Sequence, residues 1–93
     1  MPVGLLTLEI HLAESHSLKD KRQVLRSLKD RLRARHNVSV AEMEYQDTWQ
    51  ESQVGVAAVA NSEQRVREIL ENALREAERV LGRDLVEQGI EIY

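Results

Sequence analysis

Residues Val3–Leu12 alternate without a break, with Leu6, Leu8, Ile10 and Leu12 on one side and Leu5, Thr7, Glu9 and His11 on the other. Period two with one polar face marks a half-buried strand. A short break, Ala13–His16, follows, and the period then changes. From Leu18 onward, Leu18, Val24, Leu25, Leu28 and Leu32 recur at helical spacing. Ser17, three residues before Asp20, predicts an N-cap with a capping-box-like partner. The spacing predicts a helix over about 18–35.

The same change occurs again. Val38–Tyr45 is rich in β-branched residues and predicts a second strand. Its inward set is open between Val38/Val40 and Ala41/Met43/Tyr45, so a bulge that switches faces is expected. Gln46–Gln53, polar apart from Trp49, predicts a turn. Val54–Ala60, with Gly55 and three alanines, predicts a short central strand with something packed closely on it. Asn61–Ser62 then opens a second helix over about 62–81, in which Val66, Ile69, Leu70, Ala73, Leu74, Ala77 and Val80 form the apolar stripe. Glu63→Arg67 and Glu71→Arg75 are favourable pairs on its outer face, and Gly82 is a suitable residue just past its end. Leu85–Tyr93 returns as the last strand.

The order is β-α-β-β-α-β. Two βα units joined by a hairpin predict a ferredoxin-like α+β sandwich: a four-stranded antiparallel sheet in the order 4-1-3-2 with both helices on one face. At 93 residues, and with no linker or repeat, residues 1–93 form a single domain. The other sheet face is left open. Leu5 and part of Val54–Ala60 give that face apolar area, and Trp49 reaches around from a hairpin, so a homodimer is expected.

Several chemistries are excluded by residue usage. With no cysteine there is no disulfide scaffold, Cys-ligated zinc or thiol nucleophile, which fits a reducing, cytoplasmic setting. No apolar run approaches the roughly 18 residues of a membrane span, and Met1–Leu12 lacks the basic leader of a signal peptide. No phosphate-binding glycine loop, nucleophile elbow or HExxH is found, so no enzyme is expected. Glu9 and His11 share the polar face of the first strand, an acid–base pair without a third partner. His11, Glu14 and His16 make a weak metal constellation, and His36 lies roughly 27 Å away at the far end of the helix. No cofactor or metal is expected. Tyr45, Trp49 and Tyr93 are dispersed and Phe is absent, which disfavours base stacking on the central strands.

Charge is the informative property. The net charge is −3, but residues 1–36 hold eight Lys/Arg against four Asp/Glu, and residues 37–93 hold five against twelve. Within the first helix, Lys19, Arg22, Arg26, Lys29 and Arg33 fall in an arc of about 80°. Such a stripe is the footprint of a phosphate-backbone reader, and equally of a solvated helix flank. Lys19, Lys21 and Arg22 stand at the positive end of the helix dipole, an unfavourable place for cations unless an anion docks there. Lys21 heads the stripe, although its phase points into the apolar side and requires it to snorkel or to reach past the sheet edge.

The segments SLKDKR, NVSVAEMEYQDTWQ and VGVAAVANS together resemble the YlxP-like family of small bacterial proteins, a domain of unknown function, over Gly4 to Ile92. The resemblance implies a ferredoxin-like fold. The family's genes often lie among those for translation initiation and ribosome maturation, which implies an RNA or ribosome role by association. It supplies no catalytic residues. Two functions stay open: an RNA- or ribosome-associated accessory protein docking through the basic helix, and a homodimeric structural or regulatory module whose partner is a protein or a small acidic ligand.

Overall fold

A computed structural model of the protein describes residues 2–93. The strands are β1 (Val3–His11), β2 (Ser39–Glu44), β3 (Glu51–Val59) and β4 (Leu85–Ile92), and the helices α1 (Leu18–Arg35) and α2 (Glu63–Leu81). One antiparallel sheet runs in the order β2-β3-β1-β4. This is the ferredoxin-like arrangement, with β1 and β3 central and β2 and β4 at the edges.

Alternation in β1 places Leu6, Leu8 and Ile10 in the core, continued by Leu12, and these pack with Leu25, Leu28 and Leu32 of α1 and Val66, Leu70, Ala73 and Ala77 of α2. Both helices begin on a serine. The Ser17 hydroxyl accepts from the Asp20 amide at 3.0 Å, and the Asp20 carboxylate accepts from the His16 amide at 3.0 Å. Ser62 accepts from the Arg65 amide at 3.1 Å. After α2, Gly82 adopts φ 54°, a left-handed value that favours glycine, and a single 3-10 turn leads into β4.

One boundary differs from the sequence reading, and two details left general there take a definite form. β3 begins at Glu51, not Val54: Glu51, Ser52 and Gln53 lie opposite His11, Ile10 and Glu9 of β1. A backbone ladder is indifferent to side-chain polarity, and Ser52, the one of the three that points inward, donates its buried hydroxyl to Glu42 at 2.7 Å. In β2 the inward residue is Val40, while Ala41 lies across from Gly55, and the register shifts between Glu42 and Glu44. Gly55 sits on the open face with Met43 packed closely on it, an added Cβ there standing 3.1 Å from Met43 Cγ. A tighter approach, on the core side, is at Gly4, where an added Cβ would stand 2.5 Å from Val66 Cγ1 and 2.7 Å from Leu70 Cδ1. Helix α2 presses onto β1 there.

Candidate nucleic-acid interface

Helix α1 leans one flank toward α2 and the other toward the edge strand β2. Cations occupy both flanks, with opposite fates. On the α2 side, Arg31, Arg35 and His36 converge with Arg79 on Glu76, whose carboxylate is 1% exposed, at 3.5, 3.8, 3.6 and 3.6 Å respectively. Burial pushes the Glu76 carboxyl up. Arg35, Arg79 and Arg31, with the His36 contact, outweigh that and hold it below the usual carboxylate value. Those arginines are committed to the fold.

On the β2 side, Arg22, Arg26, Lys29 and Arg33 line a groove with Leu25, Asp30 and Glu42. Its far wall is the strand edge, where Arg33 Nη2 donates to the Val40 carbonyl at 2.8 Å. Arg22, Arg26 and Arg33 are exposed and Lys29 is half-buried. Lys19 lies exposed in the first turn and is not among the groove's lining residues.

Lys21 is the correction. It does not head the exposed stripe. Its side chain is 1% exposed, and Nζ donates to the Tyr45 carbonyl at 2.6 Å and the Glu51 carbonyl at 3.0 Å and pairs with Glu42 Oε2 at 3.0 Å. Three acceptors saturate the three donors of an ammonium, so no phosphate can be held by it. Its indirect effect is nonetheless electrostatic. Glu42 would repel an anion in the groove, and Lys21 neutralises it from beneath. Four groove cations then face only Asp30 as an uncompensated acid.

Charge is partitioned by layer. All 13 Lys and Arg residues lie in α1, α2 and the 3-10 turn, and the strands carry none. The arginines of α2 are interspersed with Glu63, Glu68, Glu71, Glu76 and Glu78, and the expected outer pairs are replaced by Arg65–Glu68 at 3.7 Å and by an Arg75–Asn72 hydrogen bond. The α1–β2 groove is therefore where cation charge is concentrated and free.

The open sheet face differs in character. Glu9 and His11 do not act together: Glu9 accepts from Gln53 Nε2 at 2.6 Å, and His11 Nδ1 meets Glu51 Oε1 across the strands at 2.8 Å. Leu5, half-buried, forms an apolar hollow with Ala41, Met43, Gly55 and Ala57. Trp49, 54% exposed, lies in the β2–β3 turn, two residues before Glu51, which is level with His11. Six residue steps along the strand lead from Leu5 to His11, so Leu5 and Trp49 lie about 20 Å apart along the sheet and do not make one patch.

Sequence reasoning missed the Glu76 cluster and the acceptors of Lys21. The signal for the first was present, since Glu76 falls in phase with the edge of the α2 apolar stripe.

The fold and groove define a small split-βαβ domain with an acidic sheet and a cationic slot between its first helix and one sheet edge. Residues 3–88 match the family model described as "Protein of unknown function (DUF503)", and the chain belongs to that family. It is 38% identical over 72 residues to the "Uncharacterized protein YlxP" of Bacillus subtilis (strain 168), an alignment covering 77% of this chain and 78% of that one. Among solved structures it is similar to the de novo designed protein Foldit4, with TM-score 0.50, 13% identity and coverage of 99% of this chain and 92% of the other. A designed ferredoxin-fold protein, LFR1 1, aligns with TM-score 0.49 at 12% identity, over 100% of this chain and 83% of that one. Among the described residues, no helix is long and apolar enough to cross a membrane.

Proposed function

We propose that this protein is a non-enzymatic, cytoplasmic RNA- or ribosome-associated accessory factor that holds a phosphate backbone in the α1–β2 groove. The observation that carries this reading is the alignment of Arg22, Arg26, Lys29 and Arg33 along one groove whose strand-side carboxylate, Glu42, is neutralised by the buried Lys21. Lys19 extends the track toward the helix N-terminus. Guanidinium and ammonium groups directed at phosphates position a backbone without reading bases, so affinity should be broad in sequence and steep in salt. For single-stranded RNA and about four neutralised phosphates, log K should fall by about 3 per log unit of salt. Filter binding of RNA between low and physiological salt measures this slope. A flat salt response would remove the reading.

A second reading is favoured by the hollow around Leu5. Residues on the open face grade from apolar to polar in the same direction on both central strands: Val3, Leu5, Thr7, Glu9 and His11 stand opposite Val59, Ala57, Gly55, Gln53 and Glu51. A two-fold axis through the apolar end would bury both hollows while carrying the carboxylates of the two copies apart. The homodimer therefore rests on Leu5 and its neighbours rather than on Trp49. Light scattering at high micromolar concentration tests it, with a dimer for the native chain and a monomer for Leu5→Glu expected. A monomeric native chain at 10.7 kDa rejects it.

A further inference from the structure

We infer that the β2–β3 turn is a stacking platform, on which Trp49 receives an unpaired base of a nucleic acid whose phosphates lie in the α1–β2 groove. The partner is thereby single-stranded RNA, and the inference rests on the groove reading above.

The chain has one Trp, two Tyr and no Phe. Two of these three rings stand in one short turn and are left in water, Tyr45 at 50% and Trp49 at 54% exposure. The sequence distance that disperses them is closed by the turn, whereas Tyr93 remains at the far end of β4.

The turn is held firmly. Lys21 Nζ clamps both of its ends, at the Tyr45 and Glu51 carbonyls. The Thr48 amide donates to the Tyr45 carbonyl at 3.1 Å, closing the turn internally. From the β1–α1 loop, the Leu12 amide donates to the Gln50 carbonyl at 2.7 Å, and Gln50 Nε2 donates to the Ala13 and Ser15 carbonyls at 3.2 and 3.3 Å. Tyr45 is held at φ 69°, a left-handed value that ordinary residues avoid. A ring carried on a backbone held this way has only its own side-chain torsions left to fix on binding.

Turn and groove share a strut. The lysine that clamps the turn precedes Arg22, the first groove cation, and its third partner, Glu42, lines the groove. A strand running along Arg33, Lys29, Arg26 and Arg22 is thus led toward the turn. Asp47, within the turn, opposes a phosphate there, so a base rather than the backbone suits that end. Stacking on a single ring accepts any base, which agrees with a groove that reads none.

Trp49, as the sole tryptophan, reports directly on this contact. The native chain is titrated at low salt with a 12-nucleotide oligouridylate and, separately, with a 12-base-pair RNA duplex, following Trp emission and the anisotropy of labelled RNA. Saturable quenching by the single strand is expected, with little change for the duplex. Trp49→Ala should weaken oligouridylate binding about tenfold or more, the scale of one stacked base, with Trp49→Phe retaining most of it and duplex affinity unchanged. If oligouridylate binds while Trp49 emission stays unmoved, or if Trp49→Ala binds it as tightly as the native chain, the platform is overturned and the groove reading survives. If emission instead follows protein concentration without RNA, Trp49 belongs to a protein contact and the inference also fails. If neither RNA binds the native chain, both readings fall together.

Discussion

Two buried ionised side chains, Lys21 and Glu76, stand where the apolar stripes of the helices would place hydrocarbon. Lys21 has its full set of acceptors, whereas Glu76 is offset by the charge of the arginines around it at 3.5–3.8 Å and its Oε2 accepts no hydrogen bond. Lys21 has three acceptors, and its loss would leave Glu42 without its counter-charge and two carbonyls of the turn without a donor. Lys21→Met should therefore destabilise the fold by about 3 kcal/mol in urea unfolding. In a double-mutant cycle with Glu42→Leu, the combined loss should fall well short of the two single losses added together. Additive losses would mean that the pair does not interact. Glu76 makes a pH prediction. Its folded-state carboxyl titrates below its unfolded-state value, so its stabilisation is complete above the ordinary carboxylate range and is lost as pH falls through the folded value. Urea unfolding of Glu76→Gln from pH 7 to pH 3 should show a shallower acid loss than the native chain. Identical pH slopes would contradict the geometry at Arg31, Arg35 and Arg79.

Elements here are set by period, and their contacts by register. The alternation of Leu6, Leu8, Ile10 and Leu12 and the helical spacing of Val66, Ile69, Leu70, Ala73 and Ala77 made the order of strands and helices legible from the chain alone. The basic stripe was legible for the same reason, since helical phase is a local property. What was not legible needs two elements brought side by side. The start of β3 at Glu51 depends on its pairing with β1. Helical phase alone turns Lys21, Arg31 and Arg35 away from the stripe, but the carbonyls that hold Lys21 depend on where the β2–β3 turn ends, and the pairing of Arg31 and Arg35 depends on the position of Glu76 on α2. Gly4 belongs to the same class, because nothing local shows that α2 lies on it. Val66, β-branched and stiff within a helix, cannot turn aside from a new Cβ. Gly4→Val should destabilise the fold by about 2 kcal/mol. Gly89→Val, where an added Cβ meets nothing within 4 Å, should fall within about 0.5 kcal/mol of the native chain. Thermal or urea unfolding of the two variants compares them directly, and equal losses would mean that α2 does not approach β1 at Gly4.

At the scale of the whole molecule, the domain has two unlike surfaces. The helical layer carries every Lys and Arg, and the sheet carries carboxylates and an apolar hollow. A net charge of −3 conceals this division, and only the placement of cations in the α1–β2 groove makes a polyanion a sensible partner for an acidic chain. Long-range attraction from such a groove acts against the repulsion of the rest of the molecule and is confined by screening to about 10 Å at 0.1 M salt, so the groove must meet its partner at close range. The most direct measurement is co-sedimentation with ribosomal subunits across a salt series, comparing the native chain with the triple variant Arg22→Glu, Arg26→Glu, Lys29→Glu after circular dichroism has shown that the variant is folded. Native protein should pellet with the subunits at low salt and be released steeply as salt rises, and the triple variant should stay in the supernatant throughout. A folded triple variant that still pellets like the native chain would show that the stripe is only a solvated helix flank and that the groove does not hold RNA.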